Sequence, residues 1–346
     1  YGHLLELLQN GVGVTTLEER KALATRAFRI SSHYDTRINE WMMGGRTVEQ
    51  LNLSEMQSTE LRYGENPHQS GRFFGPLDKL FDQLHGKALS YNNLLDVDAA
   101  VQLMSEFTNE EPSFAVLKHN NACGMATRPT LLEAWNAALA GDPVSAFGGV
   151  LICNRVIDQV TAESMHGLFF EVAIAPGYET GALEILQQKK NRILLIQKPT
   201  AMPTVGVRAA LNGYLVQTKD DRTEELSELK LATTDSANEA TMKDLVFAMK
   251  LAKHTRSNTI VFTKNGQLLG SGTGQTSRVD ALKQAVVKAK NFGFDLNGAA
   301  MASDAFFPFP DCVELAHREG VKAVIQPGGS IKDDLSVAYC NENGMA

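Results

Sequence analysis

Ser113-Phe-Ala-Val-Leu117 is an unbroken apolar run, and Lys118-His-Asn-Asn-Ala-Cys-Gly124 follows it with no spacer. A short apolar run bounded by turn residues reads as a strand buried on both faces. Three other runs share that character: Val150-Leu-Ile-Cys153, Val172-Ala-Ile-Ala175 and Arg192-Ile-Leu-Leu-Ile196. Helical patterns over 131–139 and 180–189 lie between them. Strands alternating with helices predict an α/β layer structure.

Toward the N-terminus, Thr16 is a helix N-cap with Glu18 and Glu19 in the first turn, and Leu23, Ala27 and Phe28 carry the helical pattern. A second helix is expected over 34–43, stopped by Gly44-Gly45. Residues 46–61 read as a polar connector. Toward the C-terminus, 218–240 is rich in Thr, Glu, Asp and Lys and reads as a solvated linker. A helix carrying Met242, Leu245, Val246, Met249 and Leu251 follows. Asn265-Gly266 between apolar runs then predicts a hairpin. A helix from Ser277, an aromatic and proline-rich loop, a helix, a strand at Ala323-Val-Ile325 and a final helix complete the chain.

At 346 residues and 43% hydrophobic content, the chain can bury a substantial core, roughly two domains of about 150 residues each. The net charge of -7 excludes a broad nucleic-acid binder, which needs excess Lys and Arg to replace counterions. Anionic small molecules are not excluded, because basic groups can cluster locally. Cys123, Cys153, Cys312 and Cys340 form no C-x-x-C pair, so neither a zinc site nor a disulfide framework is expected, and the setting is read as reducing and cytoplasmic. No apolar run approaches the roughly 18 residues of a membrane helix. The start lacks the layout of a signal peptide and an initiator Met, so a fragment or a processed chain is expected.

Several segments could carry chemistry. Arg62 lies in Leu61-Arg-Tyr-Gly-Glu-Asn-Pro-His-Gln69; it can grip phosphate bidentately, though an ordinary polar turn is the plainer reading. Lys118 and His119 sit at a strand end, where α/β folds place ligands. His119 could take a proton, and Lys118 could support an oxyanion or protonate a leaving nitrogen. The glycines of Ser145-Ala-Phe-Gly-Gly149 allow close approach or a tight turn. Gly270-Ser-Gly-Thr-Gly274 is not a dinucleotide fingerprint, because the spacing and the preceding hairpin are wrong. Ser277 starts a helix in capping-box style, and Arg278 in its first turn opposes the helix dipole, which hints at a role beyond stability. Phe306, Phe307 and Phe309 lie between Asp304 and Asp311. They read as a core loop with Asp311 capping the next helix, or as a wall for a flat heterocycle. His317-Arg-Glu319 has the H-x-E form but no P-C-x-x-C partner, so it is not a zinc deaminase signature.

Together these segments resemble the aminoimidazole carboxamide ribonucleotide (AICAR) transformylase family, in which the transformylase is fused to an inosine monophosphate (IMP) cyclohydrolase. The resemblance rests on RYGENPHQ at 62–69, LSYNNLLDVDAA at 89–100, KHNNACG at 118–124, SAFGG at 145–149 and IAPGYE at 174–179. It continues through RSNTIVF at 256–262, GTGQTSRVDALK at 272–283, SDAFFPFPD at 303–311 and VIQPGGSIKD at 324–333, and spans roughly 14–346.

The resemblance implies formyl transfer from 10-formyltetrahydrofolate to the 5-amine of AICAR. His119 would take the amine proton, with help from the substrate's own carboxamide. Lys118 would stabilise the oxyanion and protonate folate N10, and Asn258 would hold the formyl oxygen. Arg62, Tyr63 and Arg278 would bind the nucleotide and its phosphate, Phe147 and Gly148 would line the pocket, and Asp311 would orient folate. A homodimer with shared active sites is implied, along with a potassium ion near Thr255 and Asp304 and no zinc. The implied architecture is two cytidine-deaminase-like α/β/α subdomains after a helical remnant of the cyclohydrolase domain. The boundaries are 1–55 for remnant and connector, 56–217 and 256–346 for the subdomains, and 218–255 for the linker and helix between them.

Two departures accompany the resemblance. The chain begins in the last helices of the cyclohydrolase domain, so that activity is expected to be missing. It stops at Gly344-Met-Ala346, short of a terminal histidine that the family places near folate, which leaves turnover and ion binding open. The competing readings are a catalytically impaired nucleotide-binding or dimerisation fragment and a deaminase-like hydrolase of a nucleotide base.

Overall fold

A computed structural model describes residues 1–44 and 50–346; the expected stop at Gly45 and the first part of the connector lie outside the described residues. The chain divides into two compact units, Tyr1–Leu61 with Ser70–Pro76, and Arg62–Gln69 with Leu77–Ala346. The first holds α1 (Gly2–Asn10), α2 (Leu17–Met43), β1 (Ser58–Leu61) and β2 (Gly71–Phe74). A full capping box between Thr16 and Glu19 starts α2, as the sequence predicts. The helix then runs to Met43 without the expected break, because 28–34 contains no Gly or Pro to interrupt it.

The second unit is built on two large sheets, with a separate two-stranded antiparallel hairpin over 205–218. In chain order it holds α3 (Leu77–Leu80), β3 (Phe81–His85), α4 (Tyr91–Ser105), β4 (Ser113–Lys118), β5 (Asn121–Thr127), α5 (Leu131–Gly141), β6 (Val150–Cys153), α6 (Gln159–His166), β7 (Val172–Ala175), α7 (Thr180–Gln187) and β8 (Ile193–Gln197). There follow β9 (Val205–Ala210), β10 (Gly213–Thr218), a 3-10 turn (Leu226–Glu228), α8 (Glu239–Lys253), β11 (Ile260–Thr263), β12 (Leu268–Gly272), α9 (Arg278–Asn291), β13 (Ala300–Ser303), α10 (Asp311–Arg318), β14 (Ala323–Ile325) and α11 (Asp333–Glu342). The six-stranded sheet has the order β3-β8-β7-β6-β4-β5, and the four-stranded sheet β12-β11-β13-β14. Both mix parallel and antiparallel pairs.

The apolar runs are strands because both faces are covered. In β4, Ala115 and Leu117 enter one core while Phe114 and Val116 enter another; a period of two sends alternate residues to opposite sides. The first of these cores is shared: Val101 and Phe107 at α4, and Phe247 and Leu251 of α8, meet side chains from both sheets there. The outer face of the six-stranded sheet packs on α5, α6 and α7, and that of the four-stranded sheet on α9, α10 and α11. Gln267 bridges Ala126 across the sheet edges, and Arg128 donates to the carbonyls of Asn265 and Gly266. Asn265 and Gly266, at φ 52° and 63°, form the predicted hairpin turn.

The glycines of the 270–274 segment serve packing rather than a dinucleotide. A Cβ on Gly272 would stand 1.7 Å from the Ala281 carbonyl oxygen, and one on Gly270 2.5 Å from that of Ala285. Helix α9 lies directly on β12, and only hydrogen fits between them. Gly272→Ala therefore forces backbone apart and is expected to cost about 3 kcal/mol, the upper range for overpacking. A urea titration that leaves the midpoint unmoved would show that α9 does not sit this close.

Candidate functional site

Lys118 and His119 stand where β4 turns into β5. Lys118 pairs with Asn121 across the ladder, so His119 and Asn120 form a two-residue turn at φ 51° and 65°. Such left-handed turns match strand twist but usually take Asn-Gly. Non-glycine residues there cost about 1 kcal/mol each. The turn is held from both sides: Asn120 N–H donates to Asp96 Oδ1 at 2.7 Å, and Asn121 Nδ2 to the His119 carbonyl at 2.7 Å. His119 itself is exposed.

Lys118 Nζ donates to the Phe147 carbonyl at 2.7 Å. The 145–149 segment also needs its glycines to lie this close to the strand end. A Cβ on Gly149 would meet the Leu117 carbonyl oxygen at 2.7 Å, and Gly148 has φ 74°. With Gly148 N–H on the Phe169 carbonyl at 2.8 Å, and the Phe147 and Phe169 rings 5.0 Å apart, the loop lies against the strand end. An ammonium has three donors, so with one acceptor among the described residues Lys118 keeps two for another partner.

Asn258 belongs to a second cluster. Its Nδ2 donates to the Gln275 carbonyl at 2.9 Å, and its Oδ1 accepts from Arg278 Nη2 at 3.0 Å. Arg278 also donates to Asp304 Oδ1 at 2.8 Å and to the Phe306 carbonyl at 3.3 Å. Asp304 in turn accepts Thr259 N–H at 3.1 Å and the Ser257 hydroxyl. The ion pair is nearly buried, with side-chain exposures of 10% and 13%. It explains how a cation is tolerated at the positive end of α9: Asp304 compensates the unfavourable dipole. The Arg278 guanidinium is thus turned toward protein groups and orients Asn258. Arg256 N–H reaches Asn121 Oδ1 at 3.5 Å, which makes this cluster a neighbour of the His119 turn.

The remaining sequence-derived residues stand apart. Arg62 stacks over Tyr63 at 5.4 Å in a loop closed by Gly64 N–H on the Gln69 carbonyl, and Asn92 Nδ2 donates to the Glu65 carbonyl. Among the described residues, no hydrogen bond joins Arg62 or Tyr63 to Lys118, His119 or Asn258. Asp311 is exposed in the first turn of α10 and accepts Cys312 N–H; Pro310 holds the N-cap position that the sequence suggests for Asp311. Phe306 and Phe309 are half exposed while Phe307 is buried, so the aromatic loop divides between core and surface.

Thr255 and Asp304, the expected cation ligands, are committed elsewhere. The Thr255 hydroxyl donates to the Leu251 carbonyl, and each Asp304 oxygen already has a partner, one of them Arg278. Oxygen donors suit a hard cation in type, but a carboxylate paired with Arg278 offers it little charge. Among the described residues, no three His, Cys, Asp or Glu side chains converge as a metal site, and no helix is long and apolar enough to cross a membrane.

The motif reading did not single out Asp96, Asn121 or Phe169. For Asp96 a signal existed: it interrupts the apolar run of LLDVDAA, just before the buried Val97.

Comparison with known proteins agrees with the motifs. The AICARFT/IMPCHase bienzyme family matches residues 1–288. The chain is 58% identical over 346 residues to the bifunctional purine biosynthesis protein PurH of Bacteroides thetaiotaomicron, covering 100% of this chain and 68% of that protein. Proteins of the same name from Chlorobium luteolum and Chlorobaculum parvum are each 42% identical, over 361 and 360 residues, with 100% of this chain and 69% of theirs covered.

Proposed function

Because the chain belongs to the AICARFT/IMPCHase bienzyme family, we infer that it is the formyltransferase of purine biosynthesis. It moves a formyl group from 10-formyltetrahydrofolate to the 5-amine of AICAR. The observation that carries the site is the Lys118 ammonium, anchored at 2.7 Å on the Phe147 carbonyl beside His119. An arylamine is a weak nucleophile, so both proton removal and oxyanion support are needed.

In this reading the 5-amine nitrogen bonds to the formyl carbon as His119 takes its proton. The two remaining donors of Lys118, and the Asn258 Nδ2–H that lies at a long 3.4 Å from the Thr276 carbonyl and can turn from it, meet the developing oxyanion. The bond from formyl carbon to N10 then breaks, and N10 receives a proton from Lys118; solvent returns both side chains to their starting states. Asn258 needs a fixed orientation for this role, and the Arg278–Asp304 pair supplies it. The same pairing leaves Arg278 an indirect part in nucleotide binding. Phe147 and Gly148 form one wall, and the exposed Phe306 and Phe309 with Asp311 suit the folate ring. No step runs through a potassium ion, given the commitments of Thr255 and Asp304.

Arg62 and Tyr63, exposed and half-buried on their closed loop, fit a site completed by a second copy of the chain. The two sheets with their outer helices fit the reading of two deaminase-like subdomains, 56–217 and 256–346, joined by 218–255. The assay is tetrahydrofolate release with AICAR and 10-formyltetrahydrofolate. In the dimer reading, mixing inactive Arg62→Ala and His119→Ala chains restores about a quarter of wild-type turnover, since half the dimers are mixed and each holds one intact site. Release by neither wild type nor mixture would refute the formyltransferase reading of this chain. Active wild type with a dead mixture would refute the shared site alone.

A further inference from the structure

The His119–Asn120 turn holds two non-glycine residues in left-handed backbone, a conformation that persists only where surroundings enforce it. Within a two-residue hairpin the Asn120 N–H has no ladder partner, and its acceptor is Asp96 Oδ1 at 2.7 Å. Asp96 is well placed to act as a fixed point. It lies on α4, which begins with a reciprocal Ser90–Asn93 capping box and is locked into the shared core by Val97, Val101 and Met104.

The carboxylate also lacks an ordinary structural explanation. It is half-buried, and among the described residues it has no Lys or Arg partner and no hydrogen bond other than that from Asn120. Burial pushes its carboxyl above the usual range, while the Asn120 N–H and the neighbouring His119 pull the other way. A desolvated carboxylate spent on one backbone amide in a strained turn stabilises that turn and little else.

We propose that Asp96 is a positioning residue for catalysis: by holding the Asn120 amide it fixes the turn and therefore the place of the His119 imidazole against the substrate amine. The inference rests on the reading of His119 as the base. It separates the two flanks of the turn into distinct tasks, with Asp96 holding the far amide and Asn121 holding the His119 carbonyl.

The test compares Asp96→Ala and Asp96→Asn, with Asp96→Ser in place of the alanine variant should that fold poorly. Removing the acceptor is expected to lower kcat about 30-fold, with KM for AICAR within about twofold, because small misplacements of a catalytic group are costly. Asparagine keeps an oxygen at the same position and is expected to retain kcat within about threefold of wild type. Since Asp96 acts through His119, Asp96→Ala added to His119→Ala should lower the residual rate no further. Wild-type kcat in Asp96→Ala, an equal loss in Asp96→Asn, or a further loss in the double variant would each overturn the proposal. An active His119→Ala enzyme would instead remove the reading beneath it, and an inactive one beside a normal Asp96→Ala would defeat the positioning role alone.

Discussion

His119→Ala lowers formyl transfer by about two to four orders of magnitude, the range that a positioned general base contributes, while the protein stays folded. His119 is exposed and its side chain contributes nothing to either sheet's core. Its backbone is held by the Lys118–Asn121 pairing and by the hydrogen bonds to its carbonyl and to Asn120 N–H. Alanine pays much the same cost for a positive φ as histidine, so truncation changes chemistry more than stability. Lys118→Ala is expected to lose most turnover as well, through the missing oxyanion donor. The measurement is single-turnover tetrahydrofolate release at saturating AICAR, with the melting transition followed on the same samples. A His119→Ala rate within tenfold of wild type, with the fold intact, would remove His119 from the base role.

How much of this was legible depended on how local each signal is. The strand at Ser113–Lys118 and its parallels at Val150 and Val172 could be read directly, since burial on both faces leaves unbroken apolar runs. The α2 capping box and the Asn265-Gly266 turn are equally local. The hairpin of β9 and β10 escaped notice because its residues are largely exposed, so no inward and outward alternation marks it. Lys118 and His119 announced themselves by following a strand. The pairing of Arg278 with Asp304 did not, because 26 residues separate them; only the misfit of an Arg at a helix N-terminus pointed to it. Asp96 was hidden among the residues of a motif, and its meaning appears only when α4 lies beside the β4–β5 turn.

Glu106 is the clearest instance of a group whose importance is wholly tertiary, and it carries the second large effect. It is the C-cap of α4, and its side chain is 6% exposed. Three groups distant in sequence converge on it: Lys253 Nζ at 2.8 Å, His254 Nε2 at 2.9 Å and the Thr223 hydroxyl. They tie α4 to the end of α8 and to the segment read as a solvated linker, which is therefore anchored at Thr223. Burial alone would raise the Glu106 carboxyl, but these hydrogen bonds and the Lys253 charge outweigh it and hold it down at about 2, from an ordinary 4.5. A depression of that size corresponds to about 3 kcal/mol of stability at neutral pH. The sign follows from proton uptake. Between the two values the unfolded chain binds a proton that the folded chain does not, so the contribution is complete above about 4.5 and fades as pH falls toward 2. Glu106→Gln leaves the nearly buried Lys253 with the more distant and exposed Asp220 carboxylate, at 3.6 Å, as its remaining counter-charge among the described residues, and should cost about 3 kcal/mol at pH 7. The gap between wild type and Glu106→Gln in urea midpoint should then narrow as the pH is lowered through 4.5. A gap that stays constant down to pH 3 would mean that Glu106 is held by shape and neutral hydrogen bonds, and that its charge does not fasten α4 to α8.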